Sequence, residues 1–136
     1  MASIETALYT RLAAFAGLTS LVSTRIYPGV TAQPPTYPFV VYQRISGPRI
    51  QKITGPSGVA QARFQIDAWA DTVLGARAVA DQIRYALDGY RGTSDTIVVK
   101  GSTLLDDRDF VDDSVPPNVY YRASQDFLIS HDESTS

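Results

Sequence analysis

The sequence predicts an α+β domain in which a mainly antiparallel sheet of four to five strands carries two helices on one face. The predicted elements follow one another as helix, strand, long loop, strand, helix, strand, strand. Links of hairpin length between strands favour antiparallel pairing, with the helices on one side of the sheet. Two segments also have the apolar spacing of helices that bury one side, which completes the prediction.

The first predicted helix begins after Ser3, whose hydroxyl can cap it, and ends at Gly17. Its apolar residues recur every three or four positions, at Ile4, Ala7, Leu8, Leu12 and Phe15. Residues 25–27 are predicted to be briefly extended. The proline-rich segment 28–38 that follows is predicted to be an irregular loop.

Two strands with a long connection come next. Residues 39–46 are rich in β-branched and aromatic side chains, which favours a strand. Residues 59–69 alternate between apolar and polar side chains, as a half-buried strand does. The connection between them, 47–58, is too long for a tight turn, so we expect a long protruding hairpin loop with an extended middle.

The second predicted helix is capped by Asp71 or Thr72 and closed by Gly89. Gly75 lies inside it and indicates a close approach of neighbouring backbone. The helical spacing predicts that one side of this helix is buried. The residues of that side are Ala76, Val79, Ala80, Ile83, Ala86 and Leu87.

Two further strands complete the predicted sheet. Residues 96–105 and 119–129 are the strands, and an acidic connection, 106–113, lies between them. The chain is therefore expected to form a single domain over residues 1–129. A polar, flexible tail is expected over residues 130–136.

The composition argues against several classes of protein. The chain has 136 residues, a net charge of −2 and 44% hydrophobic residues, which is typical of one globular domain. A near-neutral charge disfavours tight binding to phosphate backbones, and no apolar run is long enough to cross a membrane. There is no cysteine, and the one histidine, His131, falls in the predicted tail. We therefore expect neither an enzyme nor a cofactor.

Five aspartates in the acidic connection are the one candidate cation site. They are Asp106, Asp107, Asp109, Asp112 and Asp113. A calcium loop of the helix–loop–helix kind needs a central glycine and a closing glutamate, and this stretch has neither. We interpret it as a surface acidic loop and predict no metal site, with loose binding of Mg²⁺ or Ca²⁺ as the alternative.

The outer faces of two predicted strands carry matching polar side chains and form a candidate subunit interface. The candidate residues are Arg63, Gln65, Asp67 and Trp69 on one strand, and Arg122, Ser124 and Asp126 on the other. If the strands are antiparallel neighbours, each arginine faces the carboxylate of the other strand. Trp69 either joins an interface or is covered by the loop 28–38. The alternative for the whole face is a solvated surface with modest ion pairs.

Two segments of opposite charge are a second indication of self-assembly. The loop 47–58 carries Arg49 and Lys52 and no acidic residue, whereas the acidic connection has five aspartates and one arginine. Complementary patches on one chain suit head-to-tail contact, because every copy offers both partners of the contact. Two unrelated solvated loops are the alternative.

Several short stretches, taken in order and spacing, resemble one protein family. They are Arg25–Pro28, Tyr37–Tyr42, Arg63–Ala70, the helix Ala76–Gly89, and Tyr121–Phe127. As a set they resemble the tail completion, or tail terminator, proteins of tailed phages. The resemblance covers the chain from the first helix to Ile129. The acidic connection and the serine-rich tail have no match in the family pattern.

The resemblance implies a structural role without catalytic residues. Such proteins are small α+β domains that form a ring, usually of six copies, on the last ring of tail-tube subunits. The ring stops tube growth and offers a docking surface to the head connector, or stopper, protein. The implied place is the head–tail junction of a virion assembled in the host cytoplasm. DNA passes through the lumen without specific binding, which suits a mildly acidic chain.

The resemblance does not assign the residues that contact the tube or the connector, and the protruding loop is our hypothesis for them. Its middle residues are Arg49, Ile50, Gln51, Lys52 and Ile53. Three other functions stay open. They are another neck or head–tail connector protein of the same junction, a small monomeric binding module without catalytic activity, and a hydrolase or transferase that uses the aspartates with a metal ion.

Overall fold

A computed structural model of the chain describes residues 4–29, 36–46, 59–94 and 97–132. The predicted α+β class is confirmed. The residues so described form three helices and a six-stranded sheet, where the sequence predicts two helices and four to five strands. In chain order the elements are α1 (Ile4–Ala14), α2 (Ala16–Val22), β1 (Ile26–Pro28), β2 (Phe39–Ser46), β3 (Val59–Ala70), α3 (Val73–Leu87), β4 (Gly92–Ser94), β5 (Ile97–Val115) and β6 (Asn118–Asp132).

The sheet is mixed rather than wholly antiparallel. Its strand order is β1-β2-β3-β6-β5-β4, and β1 is parallel to β2 while the other neighbouring pairs are antiparallel. The two edge strands have three residues each. A strand of three residues is too short to show a recognisable alternation of apolar and polar residues in the sequence. The extended piece predicted at 25–27 overlaps β1, whereas β4 has no sequence signal of its own.

The first helical segment is two helices rather than one. Helix α1 ends at Ala14, and Phe15 has extended backbone angles, φ −87° and ψ 105°, before α2 begins. Gly17, predicted to end the first helix, lies inside α2. Leu12 and Leu18, on either side of the break, are buried in the same core. The apolar spacing therefore runs through the break and does not reveal it.

All three helices pack on one face of the sheet and share one core with it. Phe64 and Ile66 of β3 and Phe127 of β6 are fully buried under them. Thr72 caps α3, since its hydroxyl accepts a hydrogen bond of 2.9 Å from the Gly75 amide. The buried residues of α3 are the predicted ones, Ala76, Val79, Ala80, Ile83, Ala86 and Leu87.

The acidic segment is part of a long β-hairpin and not a loop. Strand β5 has 19 residues and β6 has 15, and a turn at Pro116 and Pro117 joins them. Ala70, the last residue of β3, pairs with Tyr121, so the tip of the hairpin projects past the end of β3. The prediction of a connection is wrong because five aspartates are unusual in a strand. The loop predicted to protrude at 47–58 lies outside the described residues.

Strand β6 extends to Asp132 and so includes the first three residues, 130–132, of the predicted tail. His131 is 6% exposed and pairs with Ala60 of β3 and Val99 of β5. His131 therefore belongs to the sheet and not to a flexible tail, and residues 133–136 lie outside the description. No helix in the described part of the chain is long and apolar enough to span a membrane.

Candidate assembly surface

The face of the sheet opposite the helices carries polar and aromatic side chains. On β3, Phe64, Ile66 and Ala68 point toward the helices and are fully buried, so the residues between them point outward. We call this opposite side the outer face. It holds the candidate interface residues Arg63, Gln65, Asp67 and Trp69 on β3, and Arg122, Ser124 and Asp126 on β6.

The predicted pairing of charges between the two strands is confirmed. Strands β3 and β6 are antiparallel neighbours. Arg63 Nη2 lies 3.0 Å from Asp126 Oδ2, and Arg122 Nη1 lies 3.4 Å from Asp67 Oδ2. A shift of one residue in the pairing would turn one member of each pair to the other face. The two ion pairs therefore favour the observed register of β3 and β6 over a register shifted by one residue.

Among the described residues, Asp126 is the most deeply buried charged group of the outer face. It is 3% exposed, and its second oxygen, Oδ1, lies 3.1 Å from Arg108 Nη2 of β5. The carboxylate thus binds guanidinium groups of both neighbouring strands, through Arg63 and Arg108. A carboxylate this buried is stable in its charged form only with such partners.

The sequence leaves open whether Trp69 joins an interface or is covered by the loop 28–38. In the structure Trp69 is half-buried, so neither alternative holds fully. Its ring is nearly parallel to that of Phe39, with 13° between the planes and 6.1 Å between the centroids. The guanidinium carbon of Arg122 lies 5.5 Å from the centroid of the Trp69 ring. The neighbouring strands therefore cover part of the indole and leave the rest of it on the surface.

A stacked tyrosine pair connects the start of β2 to the hairpin. The rings of Tyr37 and Tyr120 are 4.3 Å apart with 4° between their planes. Burial raises the pKa of the Tyr37 phenol, and Tyr120, Asp112 and Asp71 raise it further. The phenol is therefore neutral at physiological pH and packs as an aromatic side chain.

The aspartates of the acidic segment lie on both sides of β5. On the helix side, Asp107 and Asp109 accept hydrogen bonds from Arg77 of α3, at 3.0 and 3.2 Å. On the outer side, Asp106 lies 2.7 Å from Arg108. The segment thus connects the hairpin to α3 and to the ion pairs of the outer face, and it is not a free acidic loop.

The two remaining aspartates lie near the tip of the hairpin. Asp112 accepts hydrogen bonds from the Ser114 hydroxyl at 2.6 Å and from the Ser114 amide at 3.0 Å, and these bonds lower its pKa. Asp113 is exposed. Among the described residues, no three His, Cys, Asp or Glu side chains are placed to hold a metal ion together.

A recess of about 120 Å³ opens between the start of α3 and the hairpin, and we call it the α3–hairpin recess. Its apolar lining is exposed, at 58% for Val73 and 64% for Val111, and the adjacent Leu74 is 81% exposed. Our reading of the sequence missed this site. The available signal was that Val73 and Leu74 are apolar but fall outside the buried side of α3. The lining residues are Val73, Ala76, Asp109, Phe110, Val111, Tyr121 and Arg122.

The structure brings the seven candidate interface residues onto one face of the sheet. It places the acidic residues on the strand next to that group, in the same sheet. It says nothing of the candidate tube or connector contacts, because they lie outside the described residues. Those residues are Arg49, Ile50, Gln51, Lys52 and Ile53.

Comparisons with known proteins give a family match and similar folds. The family described as tail completion protein gp17 matches residues 6–132. A solved chain from the virion of a native gene transfer agent particle is 22% identical, with a TM-score of 0.69, over 92% of this chain and 91% of that chain. A second solved chain is 10% identical, with a TM-score of 0.56, over 98% and 96%. No curated protein matches the sequence. At these identities the two solved chains show a shared fold alone.

Proposed function

The chain belongs to the tail completion protein gp17 family, and from this membership we propose that it forms a ring that closes the end of a phage tail tube. The protein is a structural component of a phage virion. The proposal adds that about six identical copies make the ring, which stops tube growth and joins the tail to the head connector protein. The fold shared with a chain of a gene transfer agent virion supports this role.

The one-sided layering of the domain carries the proposal. The described helices all share the core on one side of the sheet, and the other side displays three arginines with a half-buried tryptophan. Arginine and aromatic residues are enriched at the centres of protein interfaces, where charged residues in general are depleted. A face with this composition suits contact with another protein better than contact with water alone.

Three of the seven candidate interface residues are buried, and the other four, Gln65 among them, are partly exposed. Asp67, Ser124 and Asp126 are 7%, 1% and 3% exposed, so a neighbouring subunit cannot contact them directly. The side chains of Arg63 and Arg122 are 42% and 28% exposed, and Trp69 keeps part of its ring on the surface. We therefore assign subunit contact to Arg63, Trp69 and Arg122. The buried residues hold the arginines in position.

Two roles are open to the segment Arg49–Ile53. One is an axial contact with the tube or with the connector, and the other is a contact with the next copy in the ring.

The charges of the chain fit a lumen that DNA crosses, because a net charge of −2 gives no strong attraction for phosphates. In the proposed role, DNA passes through the ring without a specific binding site on this protein.

Electron microscopy of particles made with and without the protein tests the proposed function. Without it, tubes are expected to be overlong or to lack heads, because nothing stops their growth or joins them to the connector. Purified protein added to growing tubes is expected to restore a defined length. Joined particles with tubes of normal length in its absence would contradict the proposal.

A further inference from the structure

We infer that the α3–hairpin recess receives the segment 47–58 of a neighbouring copy. This inference rests on the proposed ring and names one contact that closes it. Of the two roles open to the segment, it selects the contact between copies. The recess, the charges around it and the reach of the segment each support the contact independently.

The size and lining of the recess fit an aliphatic side chain. A cavity of about 150 Å³ lined by apolar residues holds a benzene molecule, and this recess measures about 120 Å³. Val73, Leu74 and Val111 are more than half exposed around it. A cluster of exposed apolar side chains is typical of a contact site. The segment 47–58 offers two side chains of suitable size, Ile50 and Ile53.

Most of the charges around the recess are opposite to those of the segment, and the one cation of its described lining, Arg122, is paired with Asp67. Asp112 and Asp113 follow Val111 directly, and Asp71 precedes Val73 by two residues. Asp71 and Asp113 are exposed. The segment carries Arg49 and Lys52 and no acidic residue. In the segment, cations lie next to the isoleucines in sequence. Around the recess, carboxylates lie next to the apolar lining. An apolar contact between the two is therefore accompanied by attraction between opposite charges.

A copy cannot fill its own recess, because the segment is attached at the other end of the sheet. Strand β3 begins at Val59 opposite Asp132 and ends at Ala70 opposite Tyr121, which lines the recess. These eleven steps span about 36 Å at roughly 3.3 Å per residue. Ile50 and Ile53 precede Val59 by nine and six residues, so at about 3.6 Å per residue they reach at most about 32 and 22 Å from it. The contact therefore joins two copies head to tail, as a ring requires.

The absence of cysteine from the chain makes a direct test available. Val111→Cys places a thiol at the recess, and Ile50→Cys places one in the segment. In particles that contain the double variant, oxidation is expected to link copies into a ladder that ends at the full ring. Each single variant is expected to stay unlinked. Because a disulfide needs close, well-directed thiols, Ile53→Cys is tested as a second partner, and a short bifunctional maleimide as a second crosslinker.

The outcomes separate this contact from the ring proposal. If the double variants cap tubes normally and neither thiol pair gives more linked species than the single variants, the contact is wrong and the ring stands. A link within one chain, seen as a faster-migrating monomer, also contradicts the contact. If tubes keep a normal length and join heads without the protein, the ring proposal itself fails.

Charge reversal is a second test of the same contact, and it does not require two thiols to lie at disulfide distance. Asp113→Lys or Lys52→Asp alone is expected to lower the fraction of protein retained on tubes by roughly two- to fivefold, as one exposed charge pair allows. The two substitutions together are expected to restore retention. Asp81→Lys makes the same charge change on α3 beside Arg84 and is the matched control. A combined variant no better than the singles would contradict the contact.

Discussion

Asp126 of β6 lies 3.0 Å from Arg63 of β3, and it does so while almost completely buried on the outer face. A second guanidinium, that of Arg108, lies 3.1 Å from the other oxygen of the same carboxylate. One aspartate thus fixes arginines of two neighbouring strands, and Arg63 keeps 42% of its side chain exposed. This arrangement presents a pre-positioned cation, which a neighbouring subunit can bind without first ordering it.

Replacing Asp126 tests whether this carboxylate stabilises the central strands. Asp126→Asn keeps the shape but removes the charge that two arginines share. We expect unfolding to become easier by about 1–3 kcal/mol, between the values for exposed and for buried ion pairs. Urea unfolding followed by circular dichroism measures it. Asp81→Asn, which loses a 3.9 Å pair on the surface of α3, is the control and should change stability little; equal effects of the two changes would contradict the account.

Trp69→Ala tests the outer face as a subunit contact. We expect a fall in tube capping of roughly thirtyfold, since truncation of a central interface residue costs about 2 kcal/mol or more. The isolated domain should stay folded, because Trp69 is only half-buried. Titration of tube ends with each variant measures capping. Tyr85→Ala removes an aromatic ring that is 55% exposed on α3 and should cap normally; a loss of capping in both variants would argue against a specific face.

Arg77→Gln tests the connection between α3 and the hairpin. Arg77 binds Asp107 and Asp109, and without it these carboxylates repel each other. We expect faster amide hydrogen exchange across residues 105–122, with exchange in β3 unchanged. Hydrogen exchange read by mass spectrometry measures both regions in one experiment. Unchanged exchange in the hairpin would mean that Arg77 does not hold it.

A double-mutant cycle tests the start of α3. A methyl group on Gly75 would lie 2.7 Å from Thr72 Oγ1 and 3.2 Å from Ala70 Cβ. Gly75→Ala alone should therefore fail to give the usual helix gain of about 1 kcal/mol, because it displaces the cap. In the Thr72→Ala background the 2.7 Å contact is removed and only the 3.2 Å contact with Ala70 remains, so Gly75→Ala should be more favourable there than in the unchanged chain. Thermal unfolding of the four proteins measures the coupling, and additive effects would contradict it.

Acid should loosen the tip of the hairpin. The bonds from Ser114 to Asp112 lower the pKa of Asp112 below its usual 3.8. A lowered pKa in the folded chain means that the charged form is favoured there, so its stabilising effect is complete above pH 3.8 and is lost as pH falls through the lower value. Ser114→Ala should raise the pKa of Asp112 toward 3.8. Titration by NMR measures it, and an unchanged pKa would show that the Ser114 hydroxyl is not the cause.

The alternation of β3 and the buried side of α3 could be predicted from the sequence because each has a long, unbroken period. Residues such as Phe64 and Ile83 repeat at the spacing of a strand or helix with one buried side. The cross-strand pair of Arg63 with Asp126 followed from the same alternation once the strands were taken as neighbours. These features place the candidate interface on one face of the sheet.

The features that the sequence did not reveal depend on contacts between distant segments. In the acidic part of β5, Arg77 and Arg108 pair with three of the five aspartates, and the contact with Arg77 of α3 is not visible in the local pattern. The break at Phe15 is hidden because apolar side chains on both sides reach one core. The α3–hairpin recess forms only when the hairpin packs beside α3, so no local period predicts it.

A map of the head-proximal end of the tail, obtained by electron cryomicroscopy, tests the central claim most directly. The account predicts a closed ring of identical copies on the tube, with Arg63, Trp69 and Arg122 of each copy against the next one. A single copy at that place, or a ring whose outer sheet faces point into solvent, would contradict it.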